Sequence, residues 1–311
     1  MPAFTKSAAQ EFNRAFFDKL QDPGMAKEAA DGVNDWTRTR IREDGFARHI
    51  QPMLTISADE LDRQYYTDEP VKVIDKEPDQ PPAVSVPYGG LPINYMIRAP
   101  KYQVTFARIL SPRFTADMAR LRTYTIDVRQ VMADNAIKDM LAEEDSKYIK
   151  AWNTVVGSSP GVNAPMTGAI QYSQISGGIE RNTYKESRKV MPRTPYRLEA
   201  ALGVINNVTV YEFEKWGRDE WGGDGSEKML RDGWTEAKFD KLDWVITIKQ
   251  DLVAEGTIWY FADPKFIGKL FELEPPTMWV KREFWNLEYF LYEEIGSSIG
   301  HGAGGVRVDF V

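Results

Sequence analysis

Residues 70–126 read PVKVIDKEPDQPPAVSVPYGGLPINYMIRAPKYQVTFARILSPRFTADMARLRTYTI, and residues 127–156 continue DVRQVMADNAIKDMLAEEDSKYIKAWNTVV. The first part is extended chain and the second is one long helix. Strand-like runs occur at 71–75, 83–86, 102–110 and 121–126, but none carries a continuous apolar face. Pro70, Pro78, Pro81, Pro82, Pro87, Pro92, Pro100 and Pro112, with Gly89-Gly90, break any helical period. A disordered linker is the alternative reading. Tyr88, Tyr95, Tyr102, Phe106 and Phe114 argue against it, because linkers are poor in aromatics. An arm that cannot bury itself needs a partner, and a second copy of the same chain is the natural one.

The second part has the strongest period in the chain. Val128, Met132, Ala136, Met140, Tyr148, Trp152 and Val156 step by fours or multiples of four, with Ile137, Leu141 and Ile149 beside them. Asp127 is a suitable N-cap and Gly157 a suitable stop. Thirty residues at helical rise make a rod of roughly 45 Å. Asp134, Lys138, Asp139, Glu143, Asp145 and Lys150 suggest a solvated opposite face, and the run Glu143-Glu144-Asp145 reads as wet surface.

Working outward, residues 5–21 predict an amphipathic helix with Phe12, Phe16 and Leu20 on one side, closed by Asp22-Pro23-Gly24. A polar helical pattern follows over 25–49, with Trp36 and Ile41 among many charges; it has to lie on another surface. Residues 1–69 therefore read as an arm. Beyond the long helix, 158–180 is Gly/Ser/Asn-rich loop. A helix centred on Leu198, Leu202 and Ile205 is expected within 194–216. Strands are expected at 243–249, 257–261, 278–292 and 306–311, with a short helix from Asp263 through Leu270.

Composition narrows the chemistry. The chain of 311 residues has no cysteine, so disulfides, thiol nucleophiles and Cys-ligated metals are excluded. Its two histidines, His49 and His301, stand far apart, and neither lies in a nucleophile elbow. No apolar run is long enough to span a bilayer. A net charge of −7 disfavours tight nonspecific DNA binding by the whole surface. Gly300-His-Gly-Ala-Gly-Gly305 formally matches G-x-G-x-x-G, but only six residues follow and they read as a strand, not the helix a pyrophosphate needs. Trp216, Trp221 and Trp234, with the acids at 143–145 and 293–294, leave open a carbohydrate-active enzyme or a sugar-binding module. No catalytic, cofactor-binding or metal-ligating residue is assigned.

The order of segments resembles the major capsid proteins of tailed double-stranded-DNA bacteriophages, whose fold is shared with encapsulins and the herpesvirus capsid floor. The resemblance rests on four stretches: Glu77-Pro78-Asp79 through Pro92, Leu121-Arg-Thr-Tyr124 through Asp145, Gly256-Thr-Ile-Trp259 through Gly268, and Trp285 through Phe310. It implies an α+β chain with an N-arm (1–69), an extension loop forming a β hairpin (70–126), a spine helix of the peripheral domain (127–159), an axial domain (160–274) and peripheral strands (275–311). It implies hexamers and pentamers of an icosahedral head enclosing DNA, assembled in the host cytoplasm and found in the virion. The expected partners are the chain itself, a portal, a separate scaffolding protein, optionally a decoration or cement protein, and packaged DNA held weakly. An encapsulin nanocompartment is the alternative within the fold.

Inter-subunit contacts are expected from Phe12, Phe16, Leu20 and Trp36 of the arm. The loop adds Arg98, Lys101, Arg108, Arg113, Arg120 and Arg122, where Asp117 is the only acid between Gly89 and Tyr124. Glu143, Glu144 and Asp145 of a neighbouring spine helix are the expected acidic counterparts.

Overall fold

The computed structural model describes residues 45–75, 83–91, 94, 96, 101–117, 120, 128–216 and 238–311. It begins with a short helix, α1 (Phe46–Ile50), then β1 (Met53–Thr55), β2 (Asp62–Arg63) and β3 (Pro70–Asp75). β4 (Lys101–Thr105), β5 (Ala107–Leu110) and β6 (Phe114–Asp117) precede the long helix α2 (Val128–Val156). After α2 come β7 (Tyr172–Ile175), α3 (Arg181–Arg188), β8 (Leu202–Asn206), α4 (Asn207–Glu214), β9 (Lys238–Phe239), β10 (Leu242–Thr247) and β11 (Thr257–Phe261). The chain closes with α5 (Pro264–Ile267), β12 (Gly268–Glu283), β13 (Asn286–Ile299) and β14 (Gly305–Phe310).

The strands form three sheets. A five-stranded sheet runs β1-β12-β13-β5, with β6 also on β13. A six-stranded sheet runs β7-β14-β11-β8-β10-β9, and β2-β3-β4 form a small third sheet. The first is built on one long hairpin, β12–β13, paired from Gly268↔Ile299 to Glu283↔Asn286. Its register shifts between Glu274 and Thr277, where Pro275 and Pro276 lack the N–H that the ladder requires.

The predicted long helix is present, and it belongs to two cores. Its first half lays Ala136, Ile137, Met140 and Leu141 on Ile109, Met278, Leu287, Tyr289 and Leu291 of the five-stranded sheet. Its second half lays Tyr148, Ile149, Trp152 and Val156 on Trp259, Phe261, Val306 and Val308 of the six-stranded sheet. Each large side chain buried in this way contributes about 1.5–3 kcal/mol. The Trp152 ring comes so close to β14 that a Cβ on Gly305 would lie 2.4 Å from it. That glycine of the G-x-G-x-x-G match therefore serves packing. A 3-10 turn (Gly302–Gly304) lies within the match and the strand β14 begins at its last glycine, where a pyrophosphate requires a helix.

Several expectations are corrected. The helix expected around Leu202 and Ile205 is the fully buried strand β8. A short apolar run has no period that separates strand from helix, and its β-branched Val204 and Ile205 favour the strand. Helix begins only at Asn207, where the Asn206 side chain accepts the Val208 N–H at 2.8 Å. The helix opened by Asp263 ends at Ile267, because Gly268 turns the chain at φ 130° and no Cβ fits there against the Ser298 carbonyl, 2.1 Å away. The last strand does not complete the sheet of β12 and β13. It lies inside the six-stranded sheet, between β7 and β11.

The arm reading of residues 1–69 does not hold for 46–56. Phe46, Ala47 and Ile50 are core residues, and β1 pairs in parallel with β12. Residues 83–86 form no strand; the segment is exposed up to a turn in which Gly90 N–H bonds the Pro87 carbonyl at 2.9 Å and Gly89 supplies φ 86°. The chain on either side of this loop is anchored, since Val71, Val104 and Ile109 are buried. Among the described residues, no helix is long and apolar enough to cross a membrane.

The inward face of α2 is testable. Ile137→Asp or Met140→Asp places an unpaired charge in the core and costs several kcal/mol. Glu143→Ala changes an exposed position. Chemical denaturation of the three variants is expected to separate the first two clearly from the third.

Candidate functional site

Two regions combine unusual exposure or unusual burial: the loop surface and the junction between the two cores. On the loop, Val84, Val86, Tyr88, Leu91 and Met96 are exposed. The stretch 83–96 contains no charged residue in a chain that is 27% charged. Exposed apolar chain without charge is an unfavourable surface in water and a favourable one in contact.

The loop cations have partners inside the subunit. Lys101 lies 3.7 Å from Asp75 across the β3–β4 pair. Arg108 pairs with Glu294, the residue opposite it on β13. Arg113 pairs with Glu288 and also lies over the Trp279 ring, 6.0 Å from its centroid. Cross-strand pairs of this kind steady strand register, and exposed ones add 0–1 kcal/mol or so. Arg120 is exposed. Phe12, Phe16, Leu20, Trp36, Arg98 and Arg122 lie outside the described residues.

The acidic run at 143–145 requires the largest correction. Glu143 is exposed and lies 3.9 Å from Lys147. Glu144 and Asp145 are 2% and 0% exposed, so neither is available to a neighbour's arginine. The signal was in the sequence. Inward positions pair up as 136/137, 140/141, 148/149, and the same step selects 144/145. The acids sit in the core register, at the point where α2 passes from one sheet to the other.

Both acids are held by groups from distant parts of the chain. Asp145 accepts the Ala47 backbone N–H at 3.0 Å and pairs with the Lys249 ammonium. Lys249 also donates to the Leu141 carbonyl at 3.0 Å. Glu144 takes Arg48 Nε with both oxygens, at 2.9 and 3.0 Å. The same guanidinium reaches Glu293 of β13 at 2.6 Å and Glu272 of β12 at 3.7 Å. Thr55 Oγ1 donates to Glu272 at 3.2 Å. One buried guanidinium thus fastens α1 to α2 and to both strands of the long hairpin.

The electrostatics follow from burial. Desolvation works against the charge on Arg48, but the carboxylates of Glu144 and Glu293 outweigh it and raise its pKa. Desolvation pushes Glu144 and Asp145 upward, opposed by Arg48 and by Lys249 respectively. Glu293, desolvated and beside Glu144, is pushed up to about 8.

Two hollows lie elsewhere. One of about 700 Å³ is lined by His49, Asp134, Lys138 and the edge residues Trp244–Lys249. The other, about 1420 Å³, is lined by Leu54, Ile74, Tyr102, Phe266 and Phe271 among others. Neither is lined by Glu144, Glu272 or Glu293. Trp216 is a core residue that donates its indole N–H to the Ile179 carbonyl at 2.6 Å. It is not displayed for a sugar ring; Trp221 and Trp234 lie outside the described residues.

Removing the cation tests the cluster. Arg48→Met leaves three carboxylates with no guanidinium and is expected to destabilise the subunit by about 3–5 kcal/mol. Arg48→Lys recovers part of this, because an ammonium cannot fork between Glu144 and Glu293. Urea midpoints of the two variants are the measurement.

No family model matches the chain, and no curated protein does. Solved structures do. A chain from the mature capsid of bacteriophage PhiM1 superposes with a TM-score of 0.58 at 9% identity, over 86% of this chain and 87% of that one. The virus-like particle from Pyrococcus furiosus gives 0.54 at 12%, over 91% and 100%. The capsid of a native GTA particle gives 0.51 at 14%, over 85% and 89%. The likeness covers most of each chain, and this chain has the fold of the tailed-phage capsid proteins.

Proposed function

We propose that this chain is the major capsid protein of a tailed double-stranded-DNA phage, forming hexamers and pentamers of an icosahedral head. The observation that carries the reading is the shared fold over 86% of the chain with a phage capsid subunit. The exposed residues 83–91, within a stretch that carries no charge to 96, support it, since a surface of that kind is stabilised by burial against another copy. In this reading the protein is a structural component of the virion, not an enzyme.

The domain roles are assigned with it. The sheet of β12 and β13 with the first half of α2 is the peripheral domain, and the six-stranded sheet is the axial domain. The loop around 76–100 is the extension loop that lies on a neighbour, and residues before 45 are the N-arm. A portal, a separate scaffolding protein and packaged DNA are the further partners of such a shell, with a decoration or cement protein as an optional one. Many modest contacts per subunit suffice, because each closes a ring or shell already held elsewhere.

Expression of the full chain followed by negative-stain microscopy tests this. Closed shells, open sheets or isolated capsomer rings support it, and a chain that stays a monodisperse monomer at high concentration with a crowding agent in place of a scaffold overturns it. Tyr88→Asp with Leu91→Asp is expected to abolish shells while leaving the thermal unfolding of the subunit unchanged. Shells recovered from the native source separate the two readings within the fold: genomic DNA inside supports a phage head, and a packaged enzyme supports a nanocompartment.

A further inference from the structure

The cluster around Arg48 carries more negative than positive charge. One guanidinium faces three carboxylates, Glu144 from α2, Glu272 from β12 and Glu293 from β13. The neighbouring Asp145–Lys249 pair is balanced and contributes no spare cation. Arg108 is engaged by Glu294, whose side chain points to the opposite face of β13. Glu293 Oε1 is buried and has no hydrogen-bond partner among the described residues. His49, the other titratable group on α1, lines the 700 Å³ hollow and not the cluster.

We propose that this cluster is a proton-operated latch: a proton held on Glu293 keeps residues 46–51 fastened to the long helix and the β12–β13 hairpin, and its loss to solvent releases them. The reason is geometric. Ionised Glu293 would share a buried site with two other carboxylates and, among the described residues, a single cation, and its Oε1 has no donor there to receive. Swinging α1 away returns all four charged groups to water. The polar contacts that would break are the Arg48 fork, the Ala47 N–H to Asp145, and the Gln51 amide to the Ser298 carbonyl at 3.1 Å, and Phe46, Ala47 and Ile50 would leave the apolar core, a cost that keeps the latch closed while the proton is held. The inference goes beyond the shell reading and does not depend on it, because one subunit contains every group involved.

The direction in pH follows. Burial raises Glu293 from 4.5 to about 8 in the closed state, while in the released state it is an ordinary solvated carboxyl. The closed form therefore binds more protons between those values. Closure is firmest at the acid end of that window and weakens as pH rises toward 8, by up to about tenfold in the opening constant per pH unit for one proton. Above that value the dependence levels off.

Hydrogen exchange of the full-length protein between pH 5.5 and 9, corrected for intrinsic amide rates, reads the opening of 46–51 directly. The expected result is an opening constant that rises with pH and flattens near 8, while β11 amides stay protected. Glu293→Gln is expected to lower the slope by about one proton, and Glu143→Gln to leave it unchanged. Glu144→Gln serves as a second variant, with the same expectation as Glu293→Gln. A flat wild-type profile, an unchanged slope in Glu293→Gln, or exchange of 46–51 only together with β11 would each overturn the latch. The wild-type profile is decisive even if a variant does not fold.

Discussion

The structure depends on one helix having to satisfy two cores. α2 is long enough to lie on the five-stranded sheet with its first turns and on the six-stranded sheet with its last. Its inward face is apolar in both stretches and ionic between them. Among the described residues neither sheet has another helix of comparable length to cover that side, so the relative placement of the two is transmitted through α2 and the side chains that seat it. The Trp152 ring against Gly305 leaves no room for a Cβ, which fixes the last strand at one distance from the helix.

The ionic joint between the cores is costly in isolation. Carboxylates removed from water lose several kcal/mol of hydration each, and one guanidinium does not recover it for three. What the joint supplies is specificity. Arg48, Glu144, Glu272 and Glu293 come from four elements far apart in sequence, and the fork of the guanidinium is satisfied only when all four are in place. An apolar joint would hold the same elements with less regard to angle. The excess of acid at the joint makes its occupancy by protons a structural variable.

The segment between β3 and β5 obeys the opposite rule. Its stem is anchored by Val71 and Val104 in the small sheet and by Ile109 under the long helix. Beyond the stem, side chains as large as Tyr88 and Leu91 are in water. Arg108 and Arg113 are matched by glutamates of β13 in the same chain, which aligns β5 and β6 on the hairpin. The described surface beyond the stem is thus apolar, while these two stem arginines are already paired within the chain.

The long helix, the extended chain at 70–75 and 101–117 and the strands at 257–261 and 306–310 were legible from residue types and spacing, because period, β-branching and proline act over a few neighbouring residues; the strand expected at 121–126 lies outside the described residues. The same period placed Glu144 and Asp145 inward, and only the habit of reading acids as surface obscured it. β8 was not legible, since Leu202-Gly-Val-Ile-Asn206 is too short for its period to discriminate. Nor were Arg48, Glu272 and Glu293, whose meaning lies in a meeting of α1, β12 and β13 across some 245 residues of chain. The sequence by itself determined the long helix and most of the strands, and that the stretch 83–96 carries apolar side chains with no charge among them. Only the tertiary structure decided which charges are buried, which strand enters which sheet and that residues 46–56 belong to the body. Those outcomes are set by desolvation and pairing between distant segments, and no local pattern encodes them.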